Sequence, residues 1–188
     1  MPHKIFKNFF LVSSFLFYLT TYSSSEINSK EWNNSCNEDK STCIIAISNE
    51  IKSKDNNKMQ TLATAYIQIG SSKQKKMDLI NEKDQTYKLS EEKTNVPVLF
   101  IKLPFNVDLR KKPAFVIDDK KIGDLNFTHC NQNVGCVTNV IISNDVIDYF
   151  RNGKTMTVIT GVYGSNQNMK IEFPLKNFTK SYKKLTKK

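Results

Sequence analysis

The sequence predicts a mostly β fold: an antiparallel β-sandwich or barrel-like domain with one or two short helices. Three observations predict it. Residues 60–70 (QTLATAYIQIG) alternate, with Leu62, Thr64, Tyr66 and Gln68 on one face and Ala63, Ala65, Ile67 and Ile69 on the other; that is the two-residue period of a half-buried strand. Several further short β-branched runs are separated by polar turns, which is how many short antiparallel strands read. Only two stretches carry helical spacing, and both are short.

The elements follow in chain order. Residues 26–39 are polar apart from Trp32, the sole tryptophan, which is expected to pack into the core beside a short first strand. Residues 43–48 (CIIAIS) read as a strand, and 49–58 as a charged turn region. The alternating strand over 60–70 is followed by a polar turn at 71–76. Residues 77–89 are compatible with a strand or a linker. Residues 96–109 (VPVLFIKLPFNVDL) are the most apolar stretch after the N-terminal run; Pro97 and Pro104 rule out a long helix there and mark strand edges or a kink. Residues 111–113 form a turn, 114–117 (AFVI) a strand, 118–121 a tight turn, and 122–127 the returning strand. Residues 136–142 (CVTNVII) are another strand. Ser143 is a good N-cap for a helix over 143–152, with Gly153 as its stop. Residues 155–162 and 169–173 form a hairpin. Leu175, Phe178, Tyr182 and Leu185, spaced three, four and three apart, define one face of a final helix over 175–185, whose other face carries lysines.

Residues 1–25 are expected to be a secretory signal peptide. Lys4 and Lys7 form a positive start, residues 9–19 (FFLVSSFLFYL) an uncharged apolar run, and Ser23 and Ser25 the small residues before a cut at Ser25–Glu26. The apolar run has 11 residues, against the roughly 20 that a spanning helix needs. No later stretch is apolar enough to span a membrane, so no transmembrane segment is expected after cleavage. Residues 26–188 then form one domain.

The whole chain carries a net charge of +10, falling to +8 without Lys4 and Lys7. Such a charge favours acidic partners, among them anionic lipid, glycan or protein. Most lysines are dispersed, as a solvated surface would have them. Only residues 176–188 are concentrated, with six lysines and no acid. Basic residues are not interleaved with exposed aromatics in the way that nucleic-acid binding requires, so no specific nucleic acid is expected.

Four cysteines follow the leader: Cys36, Cys43, Cys130 and Cys136. An even number in an exported chain implies disulfides. Of the three possible pairings, proximity in sequence favours Cys36–Cys43 with Cys130–Cys136. Structural zinc would want tighter pairs, and no metal or cofactor is expected.

The residues hold no catalytic constellation. His129 is the only histidine beyond the leader. Neither G-x-S-x-G, G-x-x-x-x-G-K-[ST] nor G-x-G-x-x-G occurs. Adjacent carboxylates such as Asp118-Asp119 and Glu91-Glu92 are better explained as solvated turn charges than as acid–base pairs. The expectation is a non-enzymatic protein; the alternative is an exported redox or hydrolytic enzyme that uses His129 near Cys130 and Cys136. The Asn-x-Ser/Thr sites at Asn33, Asn126 and Asn177 would matter only in a eukaryotic secretory pathway.

A set of sparse positions spans nearly all of the chain beyond the leader. It comprises Trp32-x-x-x-Cys36 with Cys43; Leu103-Pro104-Phe105-Asn106-Val107; Phe127-x-x-Cys130 with Gly135-Cys136; and Phe173-Pro174-Leu175-Lys176-Asn177-Phe178 with Tyr182 and Leu185. Together these resemble the invasion-associated locus B family of bacterial exported proteins. Asn106 and Asn177 stand where that family usually has glycine, and Tyr182 stands at or next to a position where it has a small residue; these departures bear on turn geometry. The resemblance implies a β-rich protein of the periplasm or outer envelope, linked by name with bacterial invasion of host cells, with no established catalytic residues. Its partner would be an envelope or host protein or an anionic surface component.

Overall fold

The computed structural model describes residues 30–52, 58–81 and 86–187. The segment expected to be a signal peptide, residues 1–25, lies outside the described residues. Ten strands and two helices follow one another as β1 (Asn33–Cys36), β2 (Cys43–Lys52), β3 (Met59–Asn81), β4 (Thr86–Leu103), β5 (Ala114–Ile117), β6 (Lys120–Asp124), β7 (Phe127–Asn131), β8 (Gly135–Ile141), α1 (Asn144–Asn152), β9 (Thr155–Gly161), β10 (Asn168–Pro174) and α2 (Phe178–Thr186).

The strands form two antiparallel sheets, a six-stranded one ordered β1-β2-β3-β4-β8-β7 and a four-stranded one ordered β10-β9-β5-β6. Both contribute to one apolar core: Ile45, Ile67, Leu99 and Ile101 from the first, Phe115, Val158, Ile171 and Phe173 from the second. Neither sheet closes on itself, so a sandwich forms rather than a barrel. The alternation across 60–70 holds: Ala63, Ala65 and Ile67 are buried, while Leu62, Thr64, Tyr66 and Gln68 are half-buried on the opposite face. There Tyr66 stacks on its cross-strand partner Phe100 with ring centroids 4.8 Å apart, and this burial pushes the Tyr66 hydroxyl pKa up.

Trp32 joins the first and last elements of the described residues. Its side chain is fully buried and meets Phe178 and Phe150 edge-on, at centroid distances of 5.4 and 6.1 Å. Its indole N–H donates to the Pro174 carbonyl at 3.1 Å, and its backbone N–H donates to the Lys176 carbonyl at 3.1 Å. Its own carbonyl accepts from Ser181 Oγ at 2.8 Å and from Asn177 Nδ2 at 2.9 Å. Asn177 adopts the left-handed conformation with φ 65°. Asparagine tolerates this conformation better than most residues, and here its amide also gains a partner. The Asn-for-Gly departure therefore keeps the turn and adds a bond to the N-terminal segment.

The structure differs from the sequence reading where β2 runs on to Lys52 through the expected turn region and where Phe127–Asn131 form a strand of their own; three further differences have a plain physical reason. The polar stretch over 71–76 does not turn: Ser71, Ser72 and Lys73 continue the β3 ladder opposite Asn95, Thr94 and Lys93. Polarity alone does not end a strand whose backbone groups find a neighbouring strand. Pro97 lies inside β4 rather than at its end. Its carbonyl accepts from Ile142 N–H at 3.0 Å, so its nitrogen faces the same side, just past the last β4–β8 pair, Val98 with Ile141, where no ladder donor is needed. Gly153 stops α1 without a left-handed turn (φ −79°). A Cβ there would lie 2.7 Å from the Tyr149 carbonyl and 2.8 Å from Ile117 Cγ2, so close packing requires the glycine. The helix ends are otherwise near those expected: Ser143 Oγ accepts from Val146 N–H at 3.4 Å, and α2 starts three residues later than Leu175.

Candidate functional site

Cys36 is bridged to Cys43 and Cys130 to Cys136, and no cysteine is free. Each bridge joins direct cross-strand partners, with Cα atoms 4.0 and 4.1 Å apart. The first ties β1 to β2 and the second ties β7 to β8. Strands β1 and β7 are the two edges of the six-stranded sheet. Each short closed loop contributes about 2–2.5 kcal/mol in the chain-entropy account, and the bridges hold in register the strands most exposed to fraying and foreign pairing.

His129 lies exposed on edge strand β7. Its Nδ1 is 3.4 Å from the Thr128 hydroxyl, which donates to the Val137 carbonyl at 2.9 Å. The thiols beside it are consumed in the Cys130–Cys136 bridge. A Cys–His nucleophile therefore has no thiol to use here. Thiol titration of the unreduced protein is expected to find no free thiol, and His129→Ala to leave binding and stability unchanged within about 0.5 kcal/mol, as for an ordinary surface substitution.

The Asp118-Asp119 pair is placed by the structure in a turn with a backbone role. Asp118 adopts φ 51°, and its carboxylate accepts from Lys154 and Thr155 N–H at 3.0 and 2.9 Å. It fastens the β5–β6 turn to the start of β9. Beside it Lys120 Nζ donates to the Tyr149 hydroxyl and stands 4.1 Å from the ring centroid. Among the described residues no group of three or more His, Cys, Asp or Glu is placed to hold a metal ion. No helix among them is long and apolar enough to cross a membrane.

What remains is surface. Helix α2 buries Phe178, Ser181, Tyr182 and Leu185 and turns Lys180, Lys183 and Lys184 to solvent, with Lys187 exposed at its C-cap. It contains no acid. Its last-turn lysines, Lys183 and Lys184, lie at the negative end of the helix dipole, which favours them there. Arg151 of α1 sits 5.7 Å from the Tyr182 ring. Burial raises the Tyr182 pKa, and Arg151 opposes that rise. A groove lined by Ser41, Thr42, Gln68, Asn95, Asn144 and Tyr182 runs between α2 and the adjacent end of the six-stranded sheet.

A second surface feature escaped the sequence reading. In the β4–β5 connection Asp108 is buried and forked by Arg110, Nε to Oδ1 at 2.8 Å and Nη2 to Oδ2 at 2.9 Å. The Arg110 hydrogen bond holds the Asp108 carboxyl down at about 2, so the pair stays charged at neutral pH. The signal was the run Asp108-Leu109-Arg110-Lys111-Lys112 beside Phe105, but its meaning depends on loops that sequence does not place together.

The family model for invasion associated locus B (IalB) protein matches residues 72–186. The crystal structure of invasion associated protein B from Bartonella henselae superposes with a TM-score of 0.58 at 13% identity, covering 86% of this chain and 94% of that one; this likeness speaks to the fold. No curated protein matches the chain. Because the family match takes in more than half of the residues, from the arm of β3 to the end of α2, the chain belongs to the invasion associated locus B family.

Proposed function

We propose that the chain is an exported, non-enzymatic envelope protein that holds an acidic envelope or host component against the lysine face of α2. The observation that carries this reading is the division of α2: three exposed lysines, a fourth at its C-cap and no acid on one side, four buried residues anchoring the other. A rigidly seated row of like charges draws acidic partners and speeds their encounter. Export is supported by the N-terminal run with its positive start and by four paired cysteines, which suit an oxidising compartment such as the periplasm. The names of the family and of the similar Bartonella henselae protein connect the fold with invasion, which favours a partner met at or outside the cell envelope.

The test is crosslinking and capture from envelope fractions at low and high salt, using the parent chain and a Lys180→Glu/Lys183→Glu/Lys184→Glu variant. Capture of a defined acidic component by the parent, weakened roughly tenfold or more by salt and by the triple change, supports the reading. Capture that ignores both, or fractionation that finds the protein in the cytoplasm, overturns it.

A further inference from the structure

At one end of the sandwich Ile51, Met59, Phe105, Leu109, Val134 and Tyr163 are large apolar side chains exposed to solvent. Strand order and register place them together. Strand β2 ends, and β3 begins, with Lys52 opposite Met59. Strand β4 ends at Leu103 opposite Cys136, beside the β7–β8 turn that carries Val134. The β9–β10 turn carries Tyr163. Single exposed apolar residues are ordinary; their concentration on four neighbouring connections is not.

Two of these connections are fastened to each other. Asp108 N–H donates to the Gly161 carbonyl and Tyr163 N–H to the Asn106 carbonyl, both at 2.8 Å, and Val107 bridges Val162. Val107 and Asp108 are buried, and Arg110 grips Asp108 from outside. Phe105, Leu109 and Tyr163, respectively 54%, 56% and 72% exposed, are therefore held out to solvent on a braced backbone. Lys102, Lys111 and Lys112 are exposed in the same region. Two acids there are already neutralised, Asp108 by Arg110 and Asp124 by Lys121 at 2.8 Å.

We infer that this end of the sandwich docks on an anionic phospholipid surface, with Phe105, Leu109 and Tyr163 entering the headgroup layer and Lys111 and Lys112 meeting phosphate. Charge complementarity selects lipid over a protein partner. Protein interfaces are depleted in lysine and centre on a packed core. Separate apolar tips beside lysines suit the headgroup boundary, where each tip is buried singly and each cation gains from the surface potential. This goes beyond the α2 reading and uses none of its residues.

The experiment is flotation of the protein, purified from an exporting host, with vesicles of phosphatidylcholine alone or mixed with phosphatidylglycerol. Variants carry the same N-terminus as the parent, so any contribution from that end cancels. The parent is expected to float with the mixed vesicles and far less with the neutral ones. Phe105→Asp/Tyr163→Asp is expected to weaken binding about tenfold or more, and Lys111→Gln/Lys112→Gln to weaken it with a flatter salt dependence. Circular dichroism melts should match the parent, because the altered side chains are exposed. The α2 triple variant should float like the parent. Equal flotation of the Asp variant and the parent, loss of flotation in the α2 variant alone, or no preference for anionic vesicles overturns the inference. Retention of a protein partner without vesicle binding does so too.

Discussion

Trp32→Ala is expected to cost about 3–5 kcal/mol, the range for removing a fully buried large aromatic. That is a large share of the roughly 5–15 kcal/mol that holds a domain together. For a chain of this size it corresponds to a fall in melting temperature of about 6–20 °C. The physical reason is the position of the indole. It packs edge-on to rings from both helices, and its N–H is the partner of the Pro174 carbonyl. Trp32→Phe retains most of the packing but leaves that carbonyl without its donor, and should cost less, about 1–3 kcal/mol. Trp32 is the sole tryptophan, so unfolding must be followed by far-ultraviolet circular dichroism rather than by fluorescence. A denaturation midpoint for Trp32→Ala equal to that of the parent would show that the first and last described elements do not depend on this contact.

Gly135→Ala is the second large effect expected, at about 2–4 kcal/mol from backbone strain and overpacking together. Gly135 has φ 87°, a region open to glycine and costly for residues with a Cβ. A Cβ built there would also run into the Leu103 carbonyl, which is backbone and cannot swing aside. The consequence reaches beyond the turn, because Cys136 follows directly and pairs both with Leu103 in β4 and with Cys130 through the bridge. Displacing Gly135 should loosen edge strand β7 as a unit. Hydrogen exchange should show faster exchange at β7 and β8 amides in Gly135→Ala, with protection at β9 and β10 little changed. Uniform loss of protection would instead mean that the turn is coupled to the whole core.

Much of the fold was legible because it rests on local chemistry. The alternation over 60–70 specified a strand with Ala63, Ala65 and Ile67 on one face, and the structure buries that face, since period-two patterning must match burial or a strand slips face. Ser143, the apolar spacing after it and Gly153 bracketed α1. Leu175, Phe178, Tyr182 and Leu185 marked the buried side of α2. The turn expected at 71–76, where the strand instead continues, shows the limit of such reading: polar residues on an outlying ribbon obey the partner strand, Asn95 opposite Ser71, rather than their own composition. The candidate surfaces divided in the same way. The lysine run of α2 could be read as a helix face directly. The loop end could not, because Ile51, Phe105, Val134 and Tyr163 are far apart in sequence and meet only through sheet order.

By itself the sequence determined the strand-rich class, both helices, the small set of cysteine pairings, the excess of positive charge and the family likeness. Each of these depends on residue type and short spacing, which propensity and periodicity act on directly. Tertiary structure decided that the two sheets stay open as a sandwich, that the bridges staple the two edge strands, that the thiols beside His129 are spent in one of them, and which exposed side chains share one end. Those outcomes depend on non-local pairing, where strand order and register, not neighbouring residues, set what lies beside what.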